Sequence, residues 1–193
     1  MTTGGRSFPR LRTLLGVVFL ATVCGHARAA VWVGGSPQGR LGVILHYQGS
    51  AEQGRFTRFR VRLVTRHGIP ETLRVVVKTA SFTLASALLD SASRGRAWFD
   101  ARRDPKAVYT AEHLRAVPGG VRADGVLTLK GIARPLDFVM NVAQAGPRAL
   151  VLRGRAVVLR LRYRIGTGAW SKTDLIGNRV DLVFRVPLVR AGR

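Results

Sequence analysis

Apolar and polar residues alternate along much of the chain beyond residue 40. Phe59, Val61 and Leu63 alternate with Arg58, Arg60 and Arg62. Leu41, Val43, Leu45 and Tyr47 alternate with Gly42, Ile44, His46 and Gln48. Leu73, Val75 and Val77 share a face opposite Arg74, Val76 and Lys78. A period of two sends successive side chains to opposite faces of a strand. On this pattern strands are predicted over 41–47, 59–63, 73–79, 107–114, 126–130, 136–142, 151–161 and 180–189. Breakers fall between them: Gly49, Gly68 with Pro70, Pro118-Gly119-Gly120, Gly131, Gly146-Pro147 and the stretch from Gly166 to Gly168. The segment 80–104 does not alternate. It is rich in Ala, Ser, Leu and Arg and predicts a helix or an ordered loop crossing one end.

About eight short strands with hairpin-length links indicate an all-β sandwich or barrel. Strand length and small or apolar residues on both faces lean toward a barrel. Leu152, Gly154, Ala156 and Val158 stand opposite Val157 and Leu159, for example. An eight-stranded barrel has room inside for packed side chains or one small ligand.

The first thirty residues read differently. Arg6, Arg10 and Arg12 precede an apolar run at 14–23, and Ala27-Arg28-Ala29 follows it. Ten apolar residues are short for a bilayer span and suit a secretory signal with an A-x-A cleavage site. Residues 1–29 are therefore expected to be a cleaved signal peptide, and 30–193 the mature exported domain. The rival reading is an uncleaved membrane anchor.

Charge adds a second feature. Of 193 residues, 32 are Lys or Arg and 10 are Asp or Glu, a formal charge of +22. Loss of Arg6, Arg10, Arg12 and Arg28 with the signal would leave +18. Such a surface favours anionic partners. Arg58, Arg60 and Arg62 project from one strand face and are the candidates for an anionic membrane surface; a solvated exterior is the plainer reading. No aromatic residue shares their strand face, and export argues against nucleic acid. The single cysteine, Cys24, excludes an intramolecular disulfide and a multi-cysteine metal site.

No catalytic set stands out. His46, His67 and His113 lack metal-ligand spacing, so no metal site is expected, and there is no G-x-S-x-G turn. Asp90, Asp100 and Asp104 lie among Arg94, Arg96, Arg102 and Arg103, where local salt bridges are expected.

Four stretches resemble a known family. Asp124-Gly125-Val126-Leu127-Thr128-Leu129-Lys130-Gly131, running on to Arg134-Pro135-Leu136, is similar to the signature hairpin of the YceI-like polyisoprenoid-binding family. His46-Tyr47-Gln48-Gly49-Ser50 with Gly54-Arg55-Phe56 resembles its early histidine, serine and G-x-F pattern. Trp98-Phe99-Asp100, Pro105 and Val108-Tyr109 resemble its crossing segment, and 163–182 resembles its closing hairpin. The four occur in family order across nearly the whole mature chain.

The resemblance implies a lipocalin-like, eight-stranded antiparallel barrel with one helical or loop crossing segment, exported to the periplasm. It further implies a non-catalytic protein that holds an isoprenoid or similar amphiphile, such as a quinone-like lipid, in an apolar pore and needs no other cofactor. The ligand-pore candidates are the inward alternation sets. They are Val43, Leu45, Phe59, Val61, Val75 and Val77, then Leu127, Leu129, Phe138, Met140, Leu159 and Phe184. Each is equally readable as packed core. Two rivals remain at this stage: a ligand-free structural or stress-protective barrel, and an exported hydrolase with an unrecognised site.

Overall fold

The computed structural model describes residues 1–2 and 29–192. The apolar run at 14–23 lies outside them. In chain order the strands are β1 (Ala29–Gly35), β2 (Arg40–Tyr47), β3 (Ser50–Phe56), β4 (Phe59–Arg66), β5 (Ile69–Lys78) and β6 (Phe82–Thr83). A short helix α1 (Ala87–Ser93) follows. Then come β7 (Lys106–Val117), β8 (Gly120–Leu129), β9 (Ile132–Gly146), β10 (Ala149–Leu159) and β11 (Arg179–Arg190).

All eight expected strands form. Three more, β1, β3 and β6, were not expected. The ring runs β1-β4-β5-β7-β8-β9-β10-β11 and closes through β1 on β11, giving an eight-stranded antiparallel barrel of lipocalin-like form. The closure is shared. The C-terminal part of β11 pairs with β1, as at Leu188 and Gly34, while its N-terminal part pairs with β2, as at Asp181 and Ile44. β3 and then β6 continue outward from β2. The sheet thus splits at one end, and the crossing segment enters there.

Hairpin turns follow local chemistry. Lys130 and Gly131 both have positive φ, 51° and 70°, which matches the twist of the strands they join, β8 and β9. Gln48-Gly49 and His67-Gly68 repeat this pattern in the β2–β3 and β4–β5 hairpins.

The segment between β5 and β7 fulfils the helix-or-loop expectation with both. A 3-10 turn, β6, α1 and a series of turns carry the chain over the end where β2 finishes and β7 begins. The expected salt bridges there do not form among the described residues. The Asp90 carboxylate instead accepts from the Thr83 hydroxyl at 2.6 Å and the Leu84 N–H at 2.7 Å. These bonds, Thr83 first, hold it below the usual carboxylate range. The closing segment between β10 and β11 lies against the crossing segment. Gly166 and Thr167 donate their N–H groups to the Ala97 carbonyl at 2.8 and 3.0 Å.

Candidate functional site

Inward positions of the barrel differ between its two ends. Toward the end where β4 finishes and β5 begins, Leu63, Ala111, Met140 and Leu188 are buried to 1% exposure or less. Trp32 from β1 joins them, its indole N–H donating to the Thr65 hydroxyl at 3.0 Å. This end is close-packed, as protein interiors generally are.

Toward the other end the interior opens into two apolar chambers. The inner one, about 100 Å3, lies among Phe59, Val61, Tyr109, Phe138, Leu152 and Phe184, with further aliphatic side chains. The outer one, about 110 Å3, includes Val43, Leu129, Val158, Phe82, Phe99 and Ile165. Leu41, Val77, Ala107, Leu127 and Leu182 line both, so the chambers abut. A vestibule of about 360 Å3 continues outward between Tyr47, Glu52, Leu89 and the indoles of Trp98 and Trp170. It meets the outer chamber at Leu45, Phe82, Trp98 and Ile176. The result is a blind apolar tunnel with one mouth.

Two glycines help keep the inner chamber open. A Cβ on Gly154 would lie 2.5 Å from the Phe184 ring, and one on Gly125 would lie 2.6 Å from the Tyr109 hydroxyl. These rings lie against bare backbone on the neighbouring strand. Phe138 packs between them, its ring centroid 5.2 Å from Tyr109 and 5.7 Å from Phe184. The Tyr109 hydroxyl donates to the Ala123 carbonyl at 3.2 Å. Burial first, then Asp124 and Asp137, push its pKa up, so it stays neutral.

Two cations hold the mouth segments together. Arg160 is 2% exposed and is part of the lining of the outer chamber. Its guanidinium donates to four backbone carbonyls: Gly177 (3.0 Å), Ile165 and Gly166 (2.9 Å each) and Ile176 (2.6 Å). Burial lowers its pKa. Lys130 donates to the carbonyls of Arg96 at 2.6 Å and Arg164 at 2.8 Å, joining crossing and closing segments. Burial lowers its pKa too.

Ten pore candidates line the chambers: Val43, Leu45, Phe59, Val61, Val75, Val77, Leu127, Leu129, Phe138 and Phe184. Two do not. Met140 lies one inward step beyond Phe138, in the packed end. Leu159 is on the opposite strand face to Val158, which lines the outer chamber. A strand with apolar residues on both faces does not reveal its own parity. Reasoning from alternation also missed Phe56, Phe82, Trp98, Ile165 and Ile176, which stand at β3's end, in β6 or in irregular segments. The family-like stretches at 54–56, 98–100 and 163–182 contain all of these but Phe82, yet alternation assigns none of them an inward face.

Arg58, in the bend just before β4, and Arg60 and Arg62 on the outer side of β4 are exposed. Arg74 faces Arg62 across the β4–β5 ladder, and the Lys78 N–H donates to the Arg58 carbonyl. Among the described residues none of these five cations makes an ion pair. The β8–β9 wall differs: Asp124 pairs with Arg115 and Arg122, and Arg122 also with Asp137. His113 stands opposite Asp124 in the β7–β8 ladder, but both carboxylate oxygens there are taken by those arginines. Among the described residues no group of His, Cys, Asp or Glu is placed to hold a metal.

The sequence profile of the YceI-like domain matches residues 37–188, from the turn before β2 almost to the end of β11. The chain belongs to the YceI-like family. Solved structures share the fold of this YceI-like barrel. BcnA of Burkholderia cenocepacia is 22% identical with a TM-score of 0.73, over 77% of this chain and 95% of that one. A polyisoprenoid-binding domain from Saccharophagus degradans is 13% identical with a TM-score of 0.65, over 83% and 98%. The YceI protein of Campylobacter jejuni is 17% identical with a TM-score of 0.65, over 77% and 90%. No curated protein matches the chain.

Proposed function

We propose that this YceI-like protein is an exported, non-catalytic carrier that holds the apolar tail of an isoprenoid or similar amphiphile inside its barrel. The carrying observation is the blind tunnel. Its inner and outer chambers present mainly carbon; the polar side chains in their lining are Tyr109 and Arg160, both bonded to backbone carbonyls, and the indole of Trp98. Empty cavities with apolar linings stay dry and accept apolar guests. Each buried methylene contributes roughly 0.8 kcal/mol, against an association cost on the order of 4–15 kcal/mol. A tail of a few isoprene units therefore supports binding, while the head remains in the vestibule. The polyisoprenoid-binding domain of Saccharophagus degradans, which shares the fold, supports the same ligand class. The export signal read at 1–29 supports a periplasmic location, and the basic outer side of β4 and β5 supports loading at an anionic membrane surface.

Native mass spectrometry of protein purified from its own periplasm, followed by lipid extraction, tests the reading. The expected result is a chain beginning at Ala30 carrying a prenyl or quinone-like lipid. Full-length chain confined to the membrane fraction would overturn export. Lipid-free protein that takes up no added prenol would overturn the carrier role.

A further inference from the structure

We infer that the packed end of the barrel is a ruler that limits the accommodated tail to about a dozen chain carbons. The inference rests on the carrier reading. Its basis is a change in the interior at one level of the barrel. On four strands the inward residue one step past the inner chamber is buried and lines no chamber. Val61 gives way to Leu63, Tyr109 to Ala111, Phe138 to Met140 and Val186 to Leu188. Three of the four are large side chains at 1% exposure or less. A tail that reached this level would have to displace close-packed carbon, and interiors at that density do not yield a methylene freely.

The depth above the floor follows from strand geometry. On β10 the tunnel runs from Val158 in the outer chamber to Leu152 in the inner one. Six residues at about 3.3 Å give roughly 20 Å along the strand, and a tilt of about 40° reduces this to roughly 15 Å along the axis. The parallel count on β11, from Val180 to Val186, gives the same depth. An extended carbon chain advances about 1.25 Å per bond, from a bond near 1.5 Å and an angle near 111°. About twelve carbons then fill the tunnel, equivalent to roughly three isoprene units. This is also about half the ~30 Å apolar thickness of a bilayer. The carbons of a longer tail lie in the vestibule or in solvent and add little.

Affinity should therefore climb with tail length and then stop. Straight-chain primary alcohols from six to sixteen carbons are suitable probes, because their head is constant and uncharged. Binding is measured by calorimetry or by displacement of a fluorescent probe on delipidated mature protein. Below the limit each added carbon should tighten binding about fourfold, the equivalent of ~0.8 kcal/mol per methylene. Beyond about twelve carbons the gain should vanish. Met140→Ala lowers the floor and should move the break to longer alcohols. Leu152→Phe raises it and should move the break to shorter ones; the two variants act in opposite senses, so a failure of either to fold leaves the other to decide. A fourfold gain continuing to sixteen carbons would overturn the ruler while leaving the carrier intact. So would a break at the same length in every folded variant. Failure of all alcohols to bind would overturn the carrier reading and the ruler with it.

Discussion

Arg160 carries a buried charge that no carboxylate neutralises among the described residues; four carbonyl dipoles do so instead. Those carbonyls belong to Ile165, Gly166, Ile176 and Gly177, at both ends of the segment that closes the mouth. The guanidinium's planar fork of donors suits this spread, and a lysine's single ammonium does not. Gly166 is fitted to it as well: a Cβ there would lie 2.4 Å from an Arg160 nitrogen. Arg160→Met keeps much of the volume and removes every donor. Each buried carbonyl left unpaired costs about 1–3 kcal/mol, partly recovered as the segment relaxes toward water, so a net loss of about 3 kcal/mol is expected. Urea unfolding measures it, and limited trypsin digestion should cut near Lys172 before the barrel unfolds. A loss below about 0.5 kcal/mol with no early cut would mean that other contacts hold the mouth. Asp181 shows the opposite device. Burial would raise its pKa, but Arg179 at 3.0 Å and Arg155 at 3.1 Å outweigh that and hold the carboxylate below its usual range.

Among the elements, β9 and β10 decide whether the lumen is space or core. Phe138 on β9 is inward yet only partly buried, because its ring borders the inner chamber. Phe138→Trp should consume part of that space. Stability should fall by less than about 1 kcal/mol, whereas overpacking a filled core costs roughly 1–3 kcal/mol. Prenol retention should drop sharply. A clear fall in melting temperature with unchanged retention would mark the position as ordinary core. The same elements show what alternation can and cannot reveal. The ladders β4, β5, β8 and β9 were legible because charged or polar residues mark one face. β10 was legible as a strand but not in its parity, since Val157 and Leu159 are as apolar as Val158, and Leu159 was therefore misplaced. β3 reads Ser-Ala-Glu-Gln-Gly-Arg-Phe and is exposed or half-buried throughout, so no apolar period announces it. β1 escaped because its first residue, Ala29, closes the stretch that reads as an export signal. The mouth was the least legible part. Its residues come from turns and short elements that only the ring brings together, and nothing in the sequence sets Arg160 apart from the many other arginines.

For the molecule as a whole, the positive charge of the barrel can be spread evenly or aimed. Across β7, β8 and β9, Arg115 and Arg122 pair with Asp124 and Asp137, while among the described residues Arg58, Arg60, Arg62, Arg74 and Lys78 form a wall free of ion pairs. A second outward row, Arg153, Arg185 and Arg40, crosses β10, β11 and β2. The two rows differ in position. Arg58 and Lys78 stand beside Ser81, whose hydroxyl donates to the Lys78 carbonyl, at the point where the chain turns toward the mouth. Leu88 and Leu89 of α1 are exposed at that same end. The first row thus starts at the mouth end and runs down β4 and β5 to Arg62 and Arg74, and a carrier that loads at a membrane gains from having attraction that reaches its mouth. Replacing Arg58, Arg60 and Arg62 with Gln should weaken binding to vesicles rich in anionic phospholipid by about a hundredfold at low salt, at roughly 1 kcal/mol per surface cation. Parental binding should itself fall steeply toward physiological salt, because the Debye length shrinks to about 8 Å. The decisive comparison is Arg40, Arg153 and Arg185 replaced with Gln, which removes equal charge from the other row. A several-fold loss or less in that variant, read by vesicle co-sedimentation, supports a directed face. Equal loss in both would mean that the barrel is drawn by net charge alone, with no preferred side toward the lipid.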